Sequence, residues 1–503
     1  MRPALVVTLL GAAAHFTTVI IQILIARVFG AGETVDAYFA AITLPQYVIT
    51  VLTAVLPVVF IPVLASDAHS RGELLRATTS VLLTFTALMT AVALAGIAFA
   101  SPLLHLATPG LSSNAHALAV TMSWILWPGI IGAAAVNVLT ATSHSRHSFT
   151  PPAVALLVGG VLNVAIAVAM LRVWGIYGVA AGMTASFFVQ VALLYRAVYR
   201  PREPRAEASA SSGVVREVLV MFWPLALSTL LIKSTVVVER FLASEYPAGT
   251  ISYVSYASRL TTLVAFILSI GVGTVIFPSI AAHVANARFS TLGAELSKSV
   301  RTMWLLVAPA VAIGFVLAQP AVAAILQRGK FTAEATTQVA ALLQIYLLSL
   351  ASTCLGMITG RVLYALKMAN FMAVAGAIEA AAYVAYTALL VKTIGITGVA
   401  WGFVLYNTIS ITWHTAIIQR RVGWSEPAKT SGALLRTAIA AIAAGATAAV
   451  TMRLTHNAWL QLAMSGTAAL IVYAIVLAVI NPADFAALRR IVRAVEKEKG
   501  PRV

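Results

Sequence analysis

The sequence predicts an all-α integral membrane protein of about 14 transmembrane helices, and three observations carry that prediction. Charged residues make up 10% of the 503 positions, against about 25% in an ordinary soluble protein. Apolar residues make up 60%, with a mean hydropathy of +0.94. Apolar runs long enough to cross a bilayer as helices, about 20 residues each, recur along the whole chain. A membrane barrel would show short alternating segments instead. A cytosolic enzyme of two or three domains is excluded, because 33 bases and 16 acids cannot cover the surface it would expose. The single cysteine, Cys354, lies inside an apolar run, which rules out an intramolecular disulfide and a cysteine metal cluster.

Taken in order, the spans fall at 4–26, 37–65, 78–102, 118–142, 150–171 and 175–195. A Pro/Ala/Ser-rich polar linker, 199–216, follows. The second series falls at 218–239, 248–281, 302–326, 335–358, 369–391 and 394–418. Two more spans, 432–452 and 459–480, precede a basic tail at 482–503. Although Arg2 and Ala12-Ala13-Ala14 give the first run the look of a secretory leader, its apolar character continues to Ala26, so it reads as an anchor. Pro45, Pro57 and Pro62, then Pro224 and Pro278, are placed to kink spans in both series.

Orientation follows from the basic loops. Arg71, Arg76, Arg146, the run from Arg196 to Arg216, Arg288, Lys298, Arg301, Lys367, Arg420 and Arg421 fall in alternate loops. The intervening loops hold few bases, such as Arg27, Arg172, Arg328 and Lys330. The positive-inside rule then puts both termini in the cytoplasm and requires an even number of spans. It also accounts for the net charge of +17 without nucleic acid, since no concentrated basic module is present.

An internal repeat organises the series. Gly175-Ile176-Tyr177-Gly178-Val179-Ala180-Ala181-Gly182 recurs as Gly395-Ile396-Thr397-Gly398-Val399-Ala400-Trp401-Gly402. Val59-Phe60-Ile61-Pro62 likewise matches Val275-Ile276-Phe277-Pro278. The predicted organisation is a six-helix half (1–198), the linker (199–216), a second six-helix half (217–420), two additional helices (421–481) and the tail. Parallel repeats of this kind are a transporter arrangement, with the substrate path between the halves.

Specific stretches carry a family resemblance. Ile25-Ala26-Arg27-Val28-Phe29-Gly30-Ala31-Gly32, Asp36-Ala37-Tyr38-Phe39, Leu44-Pro45, Tyr256-Ala257-Ser258-Arg259-Leu260 and Arg328-Gly329-Lys330-Phe331-Thr332-Ala333-Glu334 resemble the lipid II flippase family of the MviN/MurJ type. The resemblance covers essentially the whole chain. It implies the multidrug/oligosaccharidyl-lipid/polysaccharide exporter fold in the bacterial cytoplasmic membrane. It also implies flipping of an undecaprenyl-diphosphate-linked saccharide by alternating access, with the last two helices forming a groove for the lipid tail. The chain departs from the family's diphosphate-binding charges: His15, Ile21-Gln22 and Ile49-Thr50 stand where the pattern has arginines, one of them beside an acid. Arg259 matches. The cargo is therefore lipid II or another polyprenyl-linked repeat unit, and a cation-coupled exporter of the same superfamily is a further reading. A scaffold for envelope-synthesis enzymes, with transport lost, is the remaining one.

Ionisable residues inside spans are costly and each asks for a partner or a wet cavity. Arg259 shares a polar face with Ser252, Ser255, Tyr256 and Thr262 and is expected to contact the diphosphate, or else to sit in a structural ion pair. Lys233 and Arg240, seven apart on the seventh span, are expected to share a face about 10 Å apart and offer the missing charge. The bland alternatives are a snorkelling Lys233 and an interfacial Arg240. His15 is a pH-dependent phosphate contact or a satisfied core histidine. Asp36 is a gating residue or a first-turn acid of its own helix. Glu379 is a coupling acid or a buried neutral carboxyl, and Arg361 lines the cavity or the interface. No phosphate-binding loop occurs, since Gly329-Lys330 is followed by Phe331, and no metal-ligand spacing is present. The sequence thus implies no enzyme activity and no cofactor, membrane lipids and a lipid-linked saccharide as partners, and an unspecified coupling ion.

Overall fold

The computed structural model describes residues 2–66, 71–199, 212–285, 289–366, 368–423, 427–486 and 489. Most of the expected linker and most of the basic tail lie outside these residues. The described residues form helices and no strands. In a bilayer this is what the backbone requires, because a helix satisfies its own N–H and C=O groups within one segment.

The helices of the first series are α1 (Arg2–Phe29), α2 (Glu33–Ser66), α3 (Arg71–Ala98), the short α4 (Ala100–Ala107), α5 (Ser113–Leu126), α6 (Gly129–Ser145), α7 (Thr150–Trp174) and α8 (Ile176–Val198). Then come α9 (Ser212–Lys233), α10 (Thr235–Ser244), α11 (Thr250–Ala285), α12 (Phe289–Val316), α13 (Ala318–Leu326), α14 (Ala333–Leu348) and α15 (Leu350–Ala365). The last four are α16 (Ala369–Ile394), α17 (Thr397–Arg421), α18 (Pro427–Thr451) and α19 (Ala458–Ile480). Among the described residues 12 helices are long and apolar enough to span, or 13 when the bent pair α14–α15 is taken as one. The remaining expected span, 394–418, is a single helix, α17, of 25 residues. At about 1.5 Å per residue it is long enough, but Asn407, Thr408, Ser410, Thr412 and His414 make it the more polar one.

The chain divides into two compact units. The first comprises Met1–Ser252, Gly329–Phe331 and Ala373–Val384. Here α2 packs on α6 and α9, α1 on α7, and α7 on α8. Its core runs from Ile49 to Leu64 on α2 through Val81 and Phe85 on α3, Ile130 and Val138 on α6, to Phe222 on α9. The second comprises Tyr253–Arg328, Thr332–Met372 and Ala385–Val503. Here α18 packs on α19 and α12 through Ala440, Ala441, Ala444, Ala448 and Ala469. Small residues let backbones approach where lipid offers no hydrophobic driving force. The Tyr473 hydroxyl donates to Leu305 O at 2.8 Å and Trp304 Nε1 to Leu434 O at 2.9 Å, pinning both helices to α12.

The glycine repeat does the same physical work twice. Gly175 ends α7 at φ 54° and Gly395 ends α16 at φ 69°, left-handed turns that fold the next helix back. One turn on, Gly178 lies against Met170, and Gly398 against Leu390 and Val391. At the third position Gly182 meets Asn163, and Gly402 meets Thr387. The second expected repeat lies in α2 and α11, though the side chains of 275–278 lie outside the described residues.

One expectation is corrected. Lys233 and Arg240 do not share the face of a continuous helix, because the span breaks at Ser234 into α9 and α10. The Ser234 N–H bonds Leu231 O rather than Leu230 O, tightening the turn. The freed Leu230 carbonyl accepts a hydrogen bond from the Tyr47 hydroxyl of α2. Lys233 is exposed and Arg240 is buried, at 5% exposure.

Candidate functional site

Four chain segments converge within the first unit, and Asp36 is the hub. Gly30, at φ 75°, ends α1, and the Gly32 carbonyl accepts the N–H of Val35 and of Asp36, starting α2. Asp36 is then 3% exposed in the first turn of α2. Its Oδ2 accepts the Gly249 N–H at 2.5 Å. Its Oδ1 accepts the Ser252 N–H at 2.7 Å and the Ser252 hydroxyl at 2.5 Å. These are the orphan donors of the α11 N-terminus, so Asp36 caps a helix 213 residues away in sequence. The positive end of the α11 dipole points at the same carboxyl group as these donors.

The surroundings extend the same closure. The Arg240 guanidinium carbon lies 6.0 Å from the centroid of the Phe39 ring, and its charge reaches Asp36. Gly110 N–H donates to Ser244 Oγ at 3.2 Å, and a side chain at 110 would collide with the Ser244 carbonyl. The Ser112 hydroxyl donates to Glu33 Oε1 at 2.5 Å while accepting the Ala115 N–H as the cap of α5. Lys330 N–H donates to Arg27 O at 2.9 Å. Gly329, at φ 61°, lies against that same carbonyl, and Gly30 lies against the Lys330 carbonyl. The result is a latch of side-chain and backbone bonds joining the α1–α2 turn to the α4–α5 hairpin, the α10–α11 turn and the 329–331 segment. Its paired donors and acceptors can hold or release these segments.

Arg259 is half-buried on α11, seven residues beyond Ser252 and therefore on the same helical face, about 10 Å along the axis. His15 is exposed on α1, Glu379 is half-buried on α16, and Arg361 is exposed on α15. Within the first unit the structure brings Asp36 together with Arg240 and Ser252. His15, Lys233, Glu379 and Arg361 lie on α1, α9, α16 and α15. Among the described residues no group of three or more His, Cys, Asp or Glu is placed to hold a metal. Sequence reasoning missed Glu33, Gly110, Ser112, Ser244 and Gly249. The turn motifs at 30–32 and 328–330 were visible, but nothing local paired them.

The comparisons agree with this architecture. The family model described as lipid II flippase MurJ matches residues 25–469. Lipid II flippase MurJ of Burkholderia cenocepacia is 29% identical over 343 residues, 65% of this chain and 65% of that protein. The probable lipid II flippase MurJ of Bdellovibrio bacteriovorus is 25% identical over 274 residues, covering 54% of this chain and 50% of that one. The aligned chain thus spans between half and two thirds of the length of these curated relatives. Among solved structures, a lipid II flippase MurJ in an inward closed conformation superposes with a TM-score of 0.80 at 19% identity, over 94% of this chain and 98% of that one. An inward-facing multidrug resistance MATE transporter of the MOP superfamily gives 0.69 at 15%, over 83% and 94%. With its helices, its latch and a family match across most of its length, the chain belongs to the lipid II flippase MurJ family of multi-pass bacterial membrane proteins.

Proposed function

We propose that this protein flips an undecaprenyl-diphosphate-linked saccharide, lipid II in the first instance, across the cytoplasmic membrane by alternating access, and that the Asp36 latch is its outer gate. One observation carries the reading: a buried carboxylate from the first half caps the N-terminus of α11, the helix that bears Arg259. Releasing the cap frees the N-terminal end of the helix that carries the proposed diphosphate contact. Arg259 supplies a bidentate guanidinium for the diphosphate. Arg240 and Lys233 are the proposed additional cations, and His15 stands in for an arginine. Glu379 and Arg361 are proposed in coupling or gating. The half boundaries at 198 and 217, with two further helices after 420, are part of the same proposal.

A second cargo, another polyprenyl-linked repeat unit, is favoured by one observation: His15, Ile21-Gln22 and Ile49-Thr50 remove cations that a diphosphate would use. The test is complementation of cells depleted of their own lipid II flippase. Wild type is expected to rescue and Arg259→Ala, at equal membrane levels, to fail. No rescue by well-expressed wild type moves the assignment to the second cargo. Rescue by both removes Arg259 from the site.

A further inference from the structure

The α4–α5 hairpin presents an imidazole pair that the transport reading does not use. His105 lies in the last turn of α4 and His116 in the first turn of α5, with ring centroids 6.2 Å apart and planes at 78°. Ser101, one turn before His105 on the same face of α4, places its hydroxyl 3.1 Å from His116 Nε2. His105 and Ser101 are exposed and His116 is half-buried, so the group is open at the surface. Two imidazoles on one zinc ion have nitrogens about 2.0–2.1 Å from the metal. Adding the distance from ring nitrogen to centroid, about 1.1 Å, puts the centroids about 5.2 Å apart at the tetrahedral angle, and about 6.4 Å apart only with the nitrogens on opposite sides of the ion. The observed 6.2 Å is about 1 Å wider than the tetrahedral spacing, and rotation of the exposed His105 ring brings a nitrogen toward its partner to close it.

We infer that His105 and His116 form a binding site for a divalent transition metal of the zinc, nickel or copper class, with water completing the coordination. Imidazole nitrogen is the ligand these borderline ions prefer, whereas magnesium and calcium take oxygen. Ser101 is a positioning residue: its hydroxyl orients His116 and fixes which ring nitrogen is free. The site has a structural consequence, which rests on the latch reading given above. The two histidines flank the 108–112 turn, which carries Gly110 and Ser112 of the latch. A bridging ion ties α4 to α5 across that turn and holds it in the closed geometry.

Titration of the full-length, tag-free protein in detergent with zinc chloride, followed by calorimetry, tests the site. One zinc ion per wild-type chain is expected, with binding weakened about tenfold or more in His105→Ala and in His116→Ala. Ser101→Ala is expected to bind with a smaller loss. All three positions are at the surface, and a melting profile matched to wild type shows that a variant is folded. Zinc binding absent from wild type, or undiminished in both histidine variants, overturns the site. Amide exchange across 108–112 tests the bracing separately: zinc is expected to slow it in wild type and not in His105→Ala. Binding without any slowing leaves the metal site standing and overturns the bracing.

Discussion

At the residue scale, the identity of the group at position 36 decides whether the latch holds. A carboxylate offers two oxygens and no donor, which suits the three donors that meet it. An amide of the same size replaces one oxygen with a donor aimed at donors. Hydrogen bonds to a charged group contribute about 1.5–3 kcal/mol each, and a buried donor left without an acceptor costs a similar amount. Asp36→Asn is therefore expected to loosen the latch by a few kcal/mol in order-of-magnitude terms. The check is labelling of a Ser112→Cys thiol by a membrane-impermeant maleimide. Faster labelling is expected when Asp36→Asn is added to that variant, and an unchanged rate would count against the cap. At Arg259 the expectation concerns geometry as well as charge: Arg259→Lys keeps the charge but loses the planar fork, so partial rescue of depleted cells is expected. Full rescue by lysine would mean that charge alone suffices.

At the element scale, the breaks in helices carry the information. The α9–α10 break leaves the Leu230 carbonyl without its helical donor, and Tyr47 supplies one from α2. Tyr47→Phe leaves that carbonyl unpaired in an apolar setting, at a cost of about 1–3 kcal/mol. A lower thermal midpoint of the detergent-solubilised protein is expected, and an unaltered midpoint would show that the bond does not hold the break. The helix ends at Gly175 and Gly395 allow a cleaner comparison. Nothing stands within 4 Å of a Cβ built at either position, so Gly395→Ala tests the backbone alone. With φ 69° and ψ −155°, that region is essentially restricted to glycine, and alanine is expected to cost about 1–3 kcal/mol. The same substitution at Gly175 is expected to cost a similar amount, because the two turns are copies. A large effect at one and none at the other would break the equivalence of the repeats.

At the scale of the whole molecule, the proposed alternating access requires the latch to open in every cycle. Bridging a Glu33→Cys, Ser112→Cys pair with a short thiol crosslinker ties two of its segments together. Rescue is expected to be lost on crosslinking while the uncrosslinked double variant still functions. Transport that persists with the bridge in place would rule out this end as a gate. The sidedness expected from the basic loops, with both termini in the cytoplasm, is tested by reporter fusions at the C-terminus.

Composition and hydropathy determined the class of this protein by themselves, because bilayer insertion depends on about 20 consecutive residues at a time and is a local property of the chain. The helices appear where the apolar runs are, and the repeat glycines at 175 and 395 were legible for the same reason: a turn is written in its own few residues. The break at Ser234 was not legible, since its cause includes Tyr47, which lies on another helix. Asp36 was visible as an acid at a helix start, but its own sequence pointed to α2, whereas tertiary structure assigns it to α11. Hydrogen bonds between segments 79 to 213 residues apart, as at Glu33–Ser112 and Asp36–Gly249, depend on which helix ends meet in three dimensions. Periodicity carries no record of that meeting, and only the packed fold decides it.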